Sequence, residues 1–95
     1  MTRNLRVATQ IIDFAKRLSP EQRRMVKRAL QDLCHERGDL RALEGGLAGY
    51  YRLRVGKFRL IFSHAEDGSI DAVFIEERSL VYEVFEAEFV KRLRS

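Results

Sequence analysis

Several features are scarce or missing in this 95-residue chain, and each absence removes a class of structure or function. Cys34 is the only cysteine, so no disulfide forms within the chain, and no Cys/His set has the spacing of metal ligands. The N-terminus lacks the apolar core of a signal peptide, and no apolar run is long enough to cross a membrane. We therefore expect a cytoplasmic protein with no metal site and no membrane contact.

The charge that is present is unevenly distributed. Eighteen Lys and Arg residues against 14 Asp and Glu residues give a net charge of +4 and a pI near 9.6. No acidic residue occurs between Glu44 and Glu66, and that window contains Arg52, Arg54, Lys57 and Arg59. A locally positive surface indicates an anionic partner, such as nucleic acid or an acidic protein. The alternative is a well-solvated surface with no ligand.

The spacing of apolar residues, together with the helix-capping and turn residues, predicts a single α+β domain over residues 1–95. Residues 4–8 suit a short first strand, and apolar spacing predicts a helix over 9–18. Ser19, Pro20 and Gln22 form the start of a second helix, which we expect to end near Arg37 with Gly38 just beyond it. A connection follows over 39–49, then three antiparallel strands. The third, at 70–75, suits a central position, and 79–93 predicts a final helix.

Residues 50–62 predict the most specific element, a β-hairpin with Gly56-Lys57 as its turn. Glycine at the first position of a two-residue loop suits a type II′ turn, which fixes the register of the two strands. One face then carries only apolar and aromatic side chains, namely Tyr51, Leu53, Val55, Phe58, Leu60 and Phe62. The other face carries Arg52, Arg54, Arg59 and Ile61. Because like charges opposite each other destabilise a sheet, this arginine face suggests an anionic ligand.

Three ordered motifs resemble the RelE/ParE toxin superfamily of bacterial type II toxin–antitoxin modules. They are Leu43-Glu44-Gly45, the Gly-Tyr-Tyr-Arg-Leu-Arg-Val-Gly-Lys-Phe-Arg-Leu-Ile-Phe run of residues 49–62, and Glu77-Arg78-Ser79-Leu80-Val81-Tyr82. The resemblance implies a RelE-like microbial RNase-type fold: a small antiparallel sheet, an N-terminal helical hairpin and a C-terminal helix. For the RelE branch it also implies cleavage of mRNA on the ribosome without a metal or cofactor. The RNA 2′-hydroxyl attacks the adjacent phosphate.

Matching the family motifs residue by residue gives the candidate site. Arg59, Arg78 and Tyr82 resemble the family's catalytic positions, and Arg52 and Arg54 resemble its RNA-binding positions. Guanidinium groups are suited to stabilising the charge of a phosphoryl-transfer transition state. The implied partners are the ribosome with its mRNA and a cognate antitoxin, whose acidic segment would cover the arginine face. A toxin–antitoxin heterodimer or heterotetramer is the expected assembly.

Two departures from the RelE pattern keep other functions open. Arginines stand where the best-characterised RelE pattern has lysines, and an always-protonated arginine is a poor general base. Glu76 stands where some active toxins carry a basic residue. The alternatives are a ParE-like inhibitor of DNA gyrase and an inactive relative that only binds its antitoxin. The basic stripe on the second helix (Arg23, Arg24, Lys27 and Arg28) is interpreted as a solvated face, and His35 and His64 as too isolated for a catalytic pair.

Overall fold

The computed structural model describes residues 3–77 and residue 87. Its elements are β1 (Leu5–Val7), α1 (Thr9–Lys16), α2 (Pro20–Leu33), β2 (Leu40–Ala42), a 3₁₀ turn (Gly45–Leu47), β3 (Tyr50–Val55), β4 (Phe58–His64) and β5 (Ile70–Glu77). The strands form one five-stranded sheet in the order β1-β5-β4-β3-β2. The α+β class is confirmed. The helix predicted over 79–93 lies outside the described residues.

The sheet is larger than predicted and is mixed rather than antiparallel. β1 pairs with β5 in parallel, Leu5 opposite Ile70 and Val7 opposite Ala72. β2 lies in the segment predicted as a connection and pairs antiparallel with β3. β1 lies within the short first strand predicted over residues 4–8, whereas β2 was not predicted, and each strand has three residues. Strands this short carry little alternation of their own, so their pairing depends on partners distant in sequence.

The two helices cover one face of the sheet and form the main core with it. Val26 and Leu33 of α2 and Ile11 of α1 pack against the predicted apolar face of the hairpin. The rings of Phe14 and Phe58 meet edge to face, with centroids 5.4 Å apart. β5 lies between β1 and β4, and its residues are buried on both faces, which confirms the internal position predicted for this strand.

α2 begins as predicted but ends earlier. The Ser19 side chain accepts from the Gln22 amide while the Gln22 side chain accepts from the Ser19 amide, so the capping box is complete. The helix ends at Leu33 rather than near Arg37. The Arg37 amide donates to the carbonyl of Asp32, and the Glu36 amide to that of Leu33, a Schellman-type ending. Glu36, with φ 54°, therefore takes the left-handed position expected of Gly38.

Gly38 instead lies just before β2, where the chain comes close to the main core. Its φ is 123°, and a Cβ at this position would lie 2.7 Å from Leu53 Cδ1 in the main core. A side chain here would therefore collide with the core as well as strain the backbone. The glycine lets the chain leave α2 and reach the edge of β3 closely enough to pair with it.

Candidate functional site

The hairpin of β3 and β4 has the predicted register throughout. Val55 lies opposite Phe58, Arg54 opposite Arg59 and Arg52 opposite Ile61. Gly56 has φ 57° while Lys57 does not have a positive φ, as a type II′ turn requires. β4 is the middle strand of five, so Arg59 stands on backbone that is hydrogen-bonded on both sides. Because the apolar face of the hairpin packs against the helices, the arginine face lies on the other side of the sheet.

The row of residues through Arg54 and Arg59 ends in an acid on each side. The Arg54 amide donates to the Asp39 carbonyl at 3.2 Å, which extends the pairing just before β2. Across β4, Arg59 is opposite Glu76 of β5. The row thus reads Asp39, Arg54, Arg59, Glu76. The two opposed arginines, which the sequence suggested were held together at an electrostatic cost, are bracketed by carboxylates that offset part of it.

Asp39 lies between two of the predicted arginines and contacts both. Its Oδ1 is 3.2 Å from Arg52 Nη1, and its Oδ2 is 3.7 Å from Arg54 Nε. Arg52 Nη1 also donates to the Asp39 carbonyl at 3.0 Å. Asp39 was not among the sequence candidates. It precedes Arg52 by 13 residues in a segment predicted as a connection, so no spacing rule pointed to it.

Arg52 and Arg54 differ sharply in exposure although they share a face. The Arg52 side chain is only 8% exposed, whereas the Arg54 side chain is 40% exposed. Burial of a charge is tolerated when the charge is paired and hydrogen-bonded, and Asp39 supplies both interactions. The location of Arg52 therefore favours a role in holding Asp39, and it leaves Arg54 as the more accessible cation of the two.

Replacing Asp39 by alanine is expected to destabilise the fold more than replacing Arg52 by methionine. Asp39→Ala leaves a buried guanidinium without its carboxylate, at a cost of about 1 to 3 kcal/mol. Arg52→Met removes the buried charge and keeps an apolar stem of similar length, so we expect a change within about 1 kcal/mol. Urea unfolding of both variants measures the difference. Equal losses, or a larger loss for Arg52→Met, would show that the pair is not held as argued.

The rest of this face is apolar. Ile61, Phe74 and Leu47 form a second, smaller cluster, with Leu43 and Tyr50 packed at its border. Leu47 belongs to the 3₁₀ turn, so the segment between β2 and β3 folds over this side of the sheet. The predicted arginine face is consequently partly covered: Arg52 is buried, Arg59 is half-buried, and Arg54 is the most exposed of the three.

The remaining sequence candidates are spread over other regions. Arg78 and Tyr82 lie outside the described residues, so their roles stay predictions. Lys57 is at the tip of the hairpin, with its Nζ 5.5 Å from the centre of the Phe58 ring. The basic stripe of α2 belongs to the helix layer, across the sheet from Arg54 and Arg59.

A separate polar cluster joins three distant segments on the helix side. His64 Nε2 and Arg3 Nε each lie 3.2 Å from Glu36 Oε1. The hydrogen bond with His64, and to a lesser extent the charge of Arg3, holds the pKa of Glu36 below its usual value. His64 thus has a carboxylate partner that the sequence did not indicate. The cluster is across the sheet from the arginines, and we interpret it as a tie between α2, β4 and the N-terminal segment.

The fold and the position of the arginines define a class of protein. It is an α+β domain whose sheet carries Arg54 and Arg59, directly opposed, on the face away from the helices. No helix within residues 3–77 is long and apolar enough to span a membrane. Within the same part of the chain, no three His, Cys, Asp or Glu side chains are grouped to hold a metal ion.

Comparison with known proteins identifies the fold. No protein-family model and no curated protein sequence matches the chain. Solved structures do. The toxin–antitoxin complex RelBE2 from Mycobacterium tuberculosis contains a chain with a TM-score of 0.71 and 22% identity, covering 82% of this chain and 100% of that one. The archaeal RelE–RelB complex from Pyrococcus horikoshii gives a TM-score of 0.68 at 25% identity, covering 82% and 97%.

A third neighbour belongs to a differently named pair. The YoeB–YefM complex from Staphylococcus aureus gives a TM-score of 0.63 at 16% identity, covering 82% of this chain and 99% of that one. The chain therefore has the RelE-like toxin fold, as the sequence motifs predicted. These likenesses support its assignment to the RelE-like toxin superfamily.

Proposed function

We propose that this chain is the toxin of a type II toxin–antitoxin module and that it cleaves mRNA on the ribosome, in the cytoplasm, thereby inhibiting translation. The observation that carries the proposal is the row of Arg54 and Arg59, directly opposed on the face of a RelE-like sheet away from the helices. Two guanidinium groups at directly opposed positions of neighbouring strands are suited to bind phosphate, the group that most protein contacts to nucleic acids engage.

The proposed reaction is an internal phosphoryl transfer. The 2′-hydroxyl oxygen of a nucleotide forms a bond to the adjacent phosphorus, the bond to the 5′-oxygen of the next nucleotide breaks, and a 2′,3′-cyclic phosphate remains. One proton leaves the 2′-hydroxyl and one is delivered to the leaving oxygen, so the step needs no metal ion or cofactor. Negative charge grows on the phosphate oxygens, and Arg59 stabilises it. Arg54 holds the RNA backbone.

The proton transfers fall to residues near the C-terminus. Tyr82 is the candidate proton acceptor or a platform on which a base stacks, and Arg78 is a phosphate contact or the acid for the leaving group. A phenol placed beside guanidinium groups would suit the first role, because nearby positive charges favour the ionised form of a tyrosine. Arg52, which the sequence placed with Arg54 on the RNA, is proposed instead as a positioning residue. It holds Asp39, and Asp39 contacts Arg54 Nε.

The partner in this proposal is an antitoxin. The neighbouring structures are complexes of RelE or YoeB with RelB or YefM, and this chain covers nearly the whole length of their matched chains. An acidic segment of the antitoxin that folds over the arginine face would neutralise Arg54 and Arg59 and occupy the RNA site. The assembly is proposed as a heterodimer or heterotetramer.

A ParE-like inhibitor of DNA gyrase is the second candidate, and one observation favours it. Glu76 is directly opposite Arg59 in the sheet, so its negative charge would compete with phosphate for this guanidinium. An RNase site gains nothing from that competition, whereas a binding surface for a protein tolerates it. A chain that binds only its antitoxin would tolerate it equally.

Expression of the chain in a bacterial host separates these functions. We expect induced cells to arrest translation and to accumulate RNA 5′ ends inside translated reading frames, in phase with codons and absent from untranslated RNA. DNA integrity is followed in the same cultures. Intact mRNA together with gyrase-linked DNA breaks would replace the nuclease with the gyrase inhibitor. Normal growth without mRNA cleavage or DNA breaks would favour the third function, an inactive relative that only binds its antitoxin.

A further inference from the structure

A fourth arginine, which has no part in the proposed reaction, lies on the arginine face. Arg41 is in β2, directly opposite Arg52 of β3. Opposed residues on neighbouring strands share a face of the sheet. The residue before Arg41, Leu40, packs against the main core, so Arg41 is directed to the other side. The register of β2 and the alternation along it therefore agree in placing Arg41 on the arginine face.

Arg41 differs from Arg52 and Arg54 in having no carboxylate partner within the described part of the chain. Asp39 pairs with Arg52 Nη1 at 3.2 Å and with Arg54 Nε at 3.7 Å. Among residues 3–77, no group forms an ion pair or hydrogen bond with the Arg41 guanidinium, and Arg41 is exposed. Its charge is thus offset by none of these residues, although it stands opposite a second arginine. Like charges at such positions destabilise a sheet, and an anionic ligand over Arg41 would reverse that cost.

The position of Arg41 continues a series of cations across the sheet. Arg59 of β4 is opposite Arg54 of β3, and Arg41 of β2 is opposite the residue two positions before Arg54. Diagonal neighbours of this kind have Cα atoms about 7 to 8 Å apart, within reach of long side chains. The three arginines thus occupy three consecutive strands, of which β2 is the last in the sheet order. Cations at successive positions suit a polyanion, in which separate phosphates can each meet a guanidinium.

We propose that Arg41 binds a phosphate of the RNA strand next to the phosphate held by Arg54, and so extends the RNA site from β3 to β2. The inference rests on the proposed function, because it takes RNA as the ligand. RNA carries a charge at every nucleotide and meets successive cations in any register, whereas an acidic peptide must place Asp or Glu opposite each arginine. Arg41 is two strands away from Arg59. It therefore contributes to substrate binding rather than to stabilising the charge that develops in the transition state.

Arg41→Gln tests this contact, because it removes the charge of an exposed side chain. The probe is a short single-stranded RNA with 2′-O-methyl groups throughout, which cannot undergo attack by the 2′-hydroxyl. Fluorescence anisotropy measures its binding to the full-length protein over a range of salt concentrations. We expect Arg41→Gln to weaken binding by about two- to fivefold and to lower the slope of log K against log salt by about 0.7, the share of one phosphate contact. Arg24→Gln removes the same charge from an exposed position of α2, in the helix layer, and is expected to change neither value measurably.

A set of probes that each carry a single uncharged methylphosphonate linkage locates the phosphate. Neutralising the phosphate that Arg41 contacts is expected to weaken binding to wild type but to cause no further loss in Arg41→Gln. The same comparison with Arg54→Gln identifies the phosphate held by Arg54. We expect the two linkages to be neighbours in the RNA.

The outcomes for Arg41 and for the nuclease are distinct. Thermal melts show whether each variant is folded. Additive losses at every linkage, an unchanged salt slope in a folded Arg41→Gln variant, or no binding of the RNA to wild type overturns the proposal. Weaker binding of an oligoglutamate peptide by Arg41→Gln, with RNA binding unchanged, overturns it in favour of an acidic protein. Cleavage of mRNA in cells without the Arg41 effect retains the nuclease alone. The Arg41 effect in a chain that cleaves no mRNA retains the phosphate contact and removes the nuclease.

Discussion

Replacement of Arg59 by alanine is expected to lower the rate of mRNA cleavage on the ribosome by about 100- to 1,000-fold. The effect is large because Arg59 stands on the middle strand of the sheet, which fixes the backbone from which its guanidinium extends. Preorganised donors aimed at developing charge lose little to reorganisation, and removal of one such donor typically costs about 3 to 4 kcal/mol in the transition state. Initial rates of cleavage of a defined mRNA in a purified translation system measure the loss.

Two variants show whether the loss arises from the guanidinium itself. Arg59→Lys keeps the charge but not the planar fork of donors, and we expect it to recover only part of the rate. Lys57→Ala removes a cation from the tip of the same hairpin, and we expect a rate within about twofold of wild type. A fold check by thermal melting accompanies each variant. Cleavage by a folded Arg59→Ala variant at the wild-type rate would remove Arg59 from the mechanism.

The features that the sequence predicted well are those decided over a few residues. The turn at Gly56-Lys57 fixes the register of β3 and β4, and strict alternation then assigns each side chain to a face. The start of α2 follows from Ser19, Pro20 and Gln22, whose hydrogen bonds are local. The superfamily motifs lie largely on the same hairpin. Local geometry therefore sufficed for the RelE-like fold and for placing Arg54 opposite Arg59.

Features that depend on distant segments could not be predicted in the same way. Alternation placed Arg52 on the arginine face, but its burial depends on Asp39 and on the way the chain between β2 and β3 packs against Ile61 and Phe74. The opposition of Glu76 to Arg59 requires the register of β5 against β4, which contains a bulge at Ile61 and Phe62. The site is consequently narrower and less positive than the hairpin alone suggested.

Replacement of Gln10 by alanine is expected to destabilise the fold by about 2 to 4 kcal/mol, a large loss for a domain of this size. β1 pairs with β5 only as far as Ala72, so within residues 3–77 no strand pairs with Ile75 on the side of β5 away from β4. The Gln10 side chain takes the place of that strand. Its Nε2 donates to the Ile75 carbonyl at 2.8 Å, and its Oε1 accepts from the Ile75 amide at 2.9 Å. Alanine would leave both backbone groups of a fully buried residue without these bonds.

A graded series tests this account of the sheet edge. Gln10→Glu keeps an acceptor for the Ile75 amide but places a carboxylate against the Ile75 carbonyl, so it is expected to be at least as destabilising as alanine. Gln31→Ala makes the same deletion at an exposed position of α2 and is expected to change the free energy of unfolding by no more than about 0.5 kcal/mol. Urea unfolding gives the free energies, and hydrogen exchange of the Ile75 amide reports the bond directly. Unchanged protection of that amide in Gln10→Ala would mean that another group satisfies the edge. Faster exchange there, together with the predicted loss of stability, would show that the Gln10 side chain replaces a strand partner at Ile75. It would then hold the C-terminal part of β5, which carries Glu76 opposite Arg59.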